Sequence, residues 1–112
     1  MIQLSQHPLM PEDYKSNGCG SDKARFDFVP DRIFGTSIKE ACRRHDFRYQ
    51  LGGTRADKEI ADREFLDNML EIIDNVKKWY YPTMWARHRA VTYYDGVVRG
   101  GDSSFNFKGS KK

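Results

Sequence analysis

The stretch Ser37-Ile38-Lys39-Glu40-Ala41-Cys42-Arg43-Arg44-His45-Asp46-Phe47-Arg48-Tyr49-Gln50-Leu51-Gly52-Gly53-Thr54 decides how this chain reads. Ser37 with Glu40 three residues later has the form of a capping box, so a helix is expected over 37–51, ended by Gly52-Gly53. Its inward stripe, at spacings of three and four, is Ile38, Ala41/Cys42, His45 and Tyr49. Thr54, with Asp57 in a capping role, opens a second helix over 55–79. Its stripe is Ala61/Asp62, Phe65/Leu66, Met69, Ile72/Ile73 and Val76. So short a connection predicts an antiparallel pair. Pro82 suits the first position of a third helix over 82–99, with Met84, His88, Val91, Tyr94 and Val98 on one side. The expected fold class is all-α.

Outward from these helices the pattern fades. Residues 1–35 lack helical periodicity and hold Pro8, Pro11 and Pro30, so they read as loop, with a short helical turn near Pro11 to Lys15. The biased segment 102–112 ends in two lysines and reads as a flexible basic tail. With 112 residues the chain is expected to form one domain, over 1–101. No apolar run approaches the ~20 residues that span a bilayer. Met1 to Tyr14 hold no apolar core of a secretory signal. Either a signal has been removed, or the protein leaves the cytoplasm by another route, or it never leaves. Net charge is +3, a mild excess that favours anionic surfaces without requiring nucleic acid.

Two polar residues stand within the apolar stripes, His45 on the first helix and Asp62 on the second. A buried carboxylate without a partner is costly, so Asp62 needs a donor, and the facing helix offers His45 and Tyr49 one turn apart. A carboxylate fixes one tautomer of its histidine and leaves the second ring nitrogen to act as base. The plainer reading is a structural His–Asp hydrogen bond. Asp46 points about 100° around the helix from His45; it is either an ordinary solvated acid or a ligand for a hard cation such as calcium. Asn17-Gly18-Cys19-Gly20-Ser21-Asp22 is either a surface turn or a loop whose glycines let carbonyls approach such a cation. Cys19 and Cys42 are either one disulfide or two thiols; bonded, they would tie that loop beside Asp46.

Cys42-Arg43-Arg44-His45-Asp46-Phe47-Arg48-Tyr49 resembles the Cys-x-x-His-Asp-x-x-Tyr signature of the phospholipase A2 superfamily, closest to its small prokaryotic and fungal branch. Asn17-Gly18-Cys19 with Phe26-Asp27-Phe28-Val29-Pro30 is similar to that branch's calcium-loop region. Ala61-Asp62-Arg63-Glu64-Phe65 is similar to the second catalytic helix, which is also found in viral capsid phospholipases. The likeness covers residues 17–101. It implies an antiparallel pair of catalytic helices and an N-terminal loop region forming a calcium site. It further implies calcium-dependent hydrolysis of the sn-2 ester of glycerophospholipids. His45 would be the general base, Asp62 its orienting carboxylate, and Tyr49 the support of Asp62. Calcium (Ca2+) would be held by Gly18, Gly20, Asp22 and Asp46. The Cys19–Cys42 disulfide belongs to the same implication. The animal enzymes carry many disulfides where at most one can form here, and Asp22 stands where a glycine often closes their loop.

The partner implied is a phospholipid membrane surface, met peripherally. Lys77-Lys78-Trp79-Tyr80-Tyr81-Pro82 and Trp85 combine cations with amphipathic rings suited to headgroups, although aromatics at helix junctions commonly enter the core. Arg43, Arg44, Arg48 and Arg55 form either a cationic patch at the site mouth or a solvated face. Three rival readings exist. A catalytically silent phospholipase-like module in a larger assembly such as a virus particle would keep the scaffold alone. A DNA-binding protein would leave the His45–Asp62 pair without a purpose, so no nucleic acid is expected. A zinc site from Cys19, Cys42 and His45 lacks a fourth ligand.

Overall fold

The computed structural model describes residues 4, 5, 8–11 and 32–100. The expected helical turn near Pro11 to Lys15, the Asn17–Asp22 loop and the basic tail therefore fall outside the described residues, apart from Pro11 itself. Described elements are β1 (Arg32–Ile33), β2 (Thr36–Ser37), α1 (Lys39–Leu51), α2 (Arg55–Asp74) and α3 (Thr83–Gly100). Helix dominates, as expected, with one small hairpin added. Among these residues no helix is long and apolar enough to cross a membrane.

The hairpin was not foreseen, because two-residue strands are too short to show an alternating pattern. Arg32 pairs with Ser37 and Ile33 with Thr36, antiparallel. Its turn is Phe34-Gly35, with φ of 48° and 86°. Positive φ at both central residues matches the twist of a tight hairpin; glycine adopts it readily and phenylalanine does not. Arg89 on α3 lies over the Phe34 ring at 5.0 Å, and the Tyr81 hydroxyl donates to the Ile33 carbonyl at 2.9 Å. The hairpin is thereby tied to the α2–α3 junction.

The expected capping box at Ser37 does not form. Ser37 is held extended in β2, and Ile38 takes the N-cap position without a side-chain hydrogen bond. Glu40 turns outward to Arg43 at 2.6 Å and Arg44 at 2.9 Å, two charged donors that outcompete a backbone amide. The second box does form: Asp57 N–H donates to the Thr54 hydroxyl at 3.3 Å, and Thr54 N–H donates to the Asp57 carboxylate at 2.9 Å. Asp57, which could have competed with Asp62 for the histidine, is committed to this cap.

Helix α2 stops at Asp74, short of the expected 79. The Asn75 side-chain amide donates to the Glu71 carbonyl at 2.8 Å, supplying a local alternative to the next helical bond. After a bend, Ala86 N–H donates to the Pro82 carbonyl at 2.9 Å and α3 begins. Arg87 pairs with Asp74 at 2.8 Å across this junction.

The core gathers Ile33, Ile38, Ala41, Cys42, Phe65, Met69, Ile73, Tyr81, Ala86, Ala90, Tyr93 and Val97, so all three helices and the hairpin contribute. Each large apolar side chain in it stabilises by roughly 1.5–3 kcal/mol relative to exposure. The side of α3 formed by Met84, His88, Val91, Tyr94 and Val98 is not the core side. Ala86, Ala90, Tyr93 and Val97 face inward instead, and the two alanines let α3 approach α2 closely.

Candidate active site

Gly52 and Gly53, both at positive φ, reverse the chain after α1, so that α2 packs back along it. The inward faces then meet at Asp62, which lies two turns into α2. Its Oδ1 accepts from His45 Nε2 at 2.9 Å and from the Tyr49 hydroxyl at 2.5 Å. His45 and Asp62 are each 2% exposed and Tyr49 is fully buried. The imidazole stacks on Phe65, centroids 4.5 Å apart, and leans on Tyr49 at 4.3 Å. These contacts leave the ring little rotational freedom. The expected trio therefore comes together.

A fourth member was missed. Lys58, 2% exposed, donates from Nζ to Asp62 Oδ2 at 2.7 Å. The same ammonium reaches the carbonyls of Val97 at 3.3 Å and Val98 at 3.4 Å. Those carbonyls belong to the last turn of α3, where helical acceptors lack backbone donors and a cation is favoured. Lys58 thus uses its three donors to join the Asp62 carboxylate to the end of α3. Its signal was in the sequence: a lysine four residues before a stripe aspartate lies on the same helix face.

These contacts set the charge state. Burial pushes the Asp62 carboxyl up, but hydrogen bonds from His45, Lys58 and Tyr49 outweigh it and hold the group below the ordinary value of 3.8. Burial pushes His45 below 6.5, and this prevails over the hydrogen bond and charge of Asp62, which act the other way. At neutral pH the pair is a neutral imidazole whose Nε2–H donates to a carboxylate. That tautomer carries its basic lone pair on Nδ1.

Asp46 is buried beside His45, and its Oδ2 accepts from the Gln50 amide at 3.2 Å. The expectation that it points off the core stripe does not hold: it lies on the buried face of α1, one turn after Cys42 and one before Tyr49. Of the expected calcium ligands it alone lies among the described residues; Gly18, Gly20 and Asp22 do not. No group of three or more His, Cys, Asp or Glu side chains placed to hold a metal occurs among the described residues. Cys42 is buried one turn before His45 and is not a free thiol. Cys19 lies outside the described residues.

Three of the four arginines expected as a cationic patch or a solvated face are held in ion pairs. Arg43 and Arg44 are engaged by Glu40, and Arg48 clamps the buried Glu64 at 2.7 and 2.9 Å. Glu64 also accepts from the Ser5 hydroxyl at 2.6 Å, while the Asn68 side chain bonds both backbone groups of Ser5, at 2.7 and 2.9 Å. Ser5 is thereby fastened to α2. A cavity of about 380 Å³ opens on the Lys58 side of Asp62, between α2 and the end of α3, with Arg55, Tyr94 and Val98 in its walls.

This arrangement can hold a neutral imidazole in one tautomer and stabilise the imidazolium formed when that ring takes a proton. No protein family, curated protein or solved structure matches the chain, so the reading of the site rests on its own geometry.

Proposed function

We propose that this protein is a calcium-dependent lipid hydrolase that cleaves the sn-2 ester of glycerophospholipids, as its resemblance to the phospholipase A2 superfamily implies. The observation that carries the reading is His45 Nε2 on the Asp62 carboxylate, with the Tyr49 hydroxyl on the same oxygen. In this mechanism His45 takes a proton at Nδ1 from the water that attacks the ester carbonyl. Asp62 steadies the resulting imidazolium, and the proton then passes to the leaving oxygen. Tyr49 keeps Asp62 aligned. Calcium, when held by Asp46 with Gly18, Gly20 and Asp22, supplies the Lewis acid that stabilises the oxyanion. A Cys19–Cys42 bond would fasten that loop beside Asp46. Mass measurement before and after reduction tests the bond: a gain of two hydrogens supports it.

The second reading, a phospholipase-like module without turnover, has one observation on its side. His45 is almost wholly buried, as a structural histidine would be.

The deciding experiment is fatty-acid release from mixed phospholipid vesicles, with calcium or with chelator, by the wild type and His45→Ala. Calcium-dependent sn-2 release that vanishes in the variant establishes the enzyme and its base. No release from any vesicle composition by oxidised protein in excess calcium overturns the proposal in favour of the silent module.

A further inference from the structure

The junction between α2 and α3 does not behave like a buried corner. Trp79 is 94% exposed, Met84 83%, Trp85 71% and Tyr80 63%. They are not loosely hung, because Tyr81 in their midst is buried, with its hydroxyl on the Ile33 carbonyl. Trp79 and Tyr80 brace each other edge to face, with centroids 5.7 Å apart. The buried Tyr81 anchor and the ring contact limit the freedom that these side chains lose on binding. Val91 and Val98, at seven-residue steps from Met84, continue the exposed apolar line down the outer side of α3 to the cavity beside Asp62. Asp95 on that side is paired with Arg99 at 3.0 Å.

Charge is arranged to match. From Asn75 to Tyr94 the chain carries Lys77, Lys78, Arg87 and Arg89 and no aspartate or glutamate, with Arg87 paired to Asp74 just before the segment. Lys77 and Lys78 enter no ion pair among the described residues and directly precede Trp79.

We infer that this knuckle, continued along the outer side of α3, is the face on which the protein meets an anionic phospholipid surface. Indole and phenol rings suit the headgroup layer, lysines its phosphates, and Met84 and Val91 the acyl boundary below. The two aliphatic side chains favour lipid over nucleic acid, since stacking on bases would leave them in water. The inference deepens the proposed function by naming the surface that delivers substrate, and binding can be measured without turnover.

The experiment uses the full chain in chelator with phosphatidylglycerol or phosphatidylcholine vesicles. Trp79 and Trp85 are the protein's two tryptophans, so emission reports the knuckle directly. The expected result is a blue shift on phosphatidylglycerol, quenched by brominated acyl chains. Lys77→Gln/Lys78→Gln should weaken binding roughly thirty-fold, and Met84→Asp should abolish it, with circular dichroism unchanged in both. Unchanged emission on phosphatidylglycerol overturns the inference, even in a protein that hydrolyses lipid. A shift with single-stranded DNA that bromine does not quench on vesicles overturns it in favour of a nucleic-acid surface. Vesicle binding in chelator, with no fatty-acid release once excess calcium is added, sustains it while removing the hydrolase reading.

Discussion

Lys58 Nζ lies 2.7 Å from Asp62 Oδ2, one helical turn away on the same face, and neither side chain reaches solvent. The carboxylate that orients His45 therefore has a full counter-charge before the histidine is counted. With Lys58 balancing Asp62, the imidazole can remain neutral, as a base must.

Removing that counter-charge should be costly. Lys58→Met leaves a buried carboxylate short of its cation and three acceptors short of a donor, so we expect a loss of about 3–5 kcal/mol in urea unfolding at neutral pH. Lys58→Met combined with Asp62→Asn should recover part of it. A single variant within about 1 kcal/mol of wild type would show that the pair contributes little.

Tyr49→Phe deletes one hydrogen bond to a charged acceptor and keeps the ring against His45. The expected destabilisation is about 1.5–3 kcal/mol. On the proposed hydrolase reading, fatty-acid release should fall with KM little changed, because the hydroxyl bonds to Asp62. A rise in KM alone would contradict that placement.

Acid should weaken the fold in two stages. His45 is held below 6.5 chiefly by burial, so the unfolded chain binds a proton that the native protein refuses. Its contribution is whole above that value and is lost as pH falls towards the lowered native one. Asp62, held below 3.8 by its donors against burial, adds a second loss in more acidic solution. Urea midpoints from about pH 8 to about pH 5 should fall, and His45→Gln should flatten that fall. An equal slope in the variant would assign the effect to other groups.

The start of α2 offers a backbone test. Gly53 has φ of 136°, and a Cβ there would fall on the Asp57 carboxylate that caps Thr54. Gly53→Ala should cost about 2 kcal/mol, combining strain with loss of the cap. Unchanged thermal unfolding would mean that the turn relaxes without loss.

The sequence by itself determined the helical class, the Gly52–Thr54 reversal and the meeting of His45, Tyr49 and Asp62. Each depends on local periodicity, capping chemistry and the need of a buried carboxylate for donors. The start of α1 was misjudged because Ser37 is drawn into a strand whose partner, Arg32, lies across a two-residue turn. The end of α2 was misjudged because one side chain, that of Asn75, interrupts an apolar pattern that continues to Val76. Only the tertiary structure decided that Lys58 is buried on Asp62 against the end of α3, and that α3 turns its alanines inward and its larger apolar residues out. Those outcomes depend on how closely two helices approach and which carbonyls lie within reach. Spacing along one helix cannot express either, because it names the face a residue shares and not what will cover it.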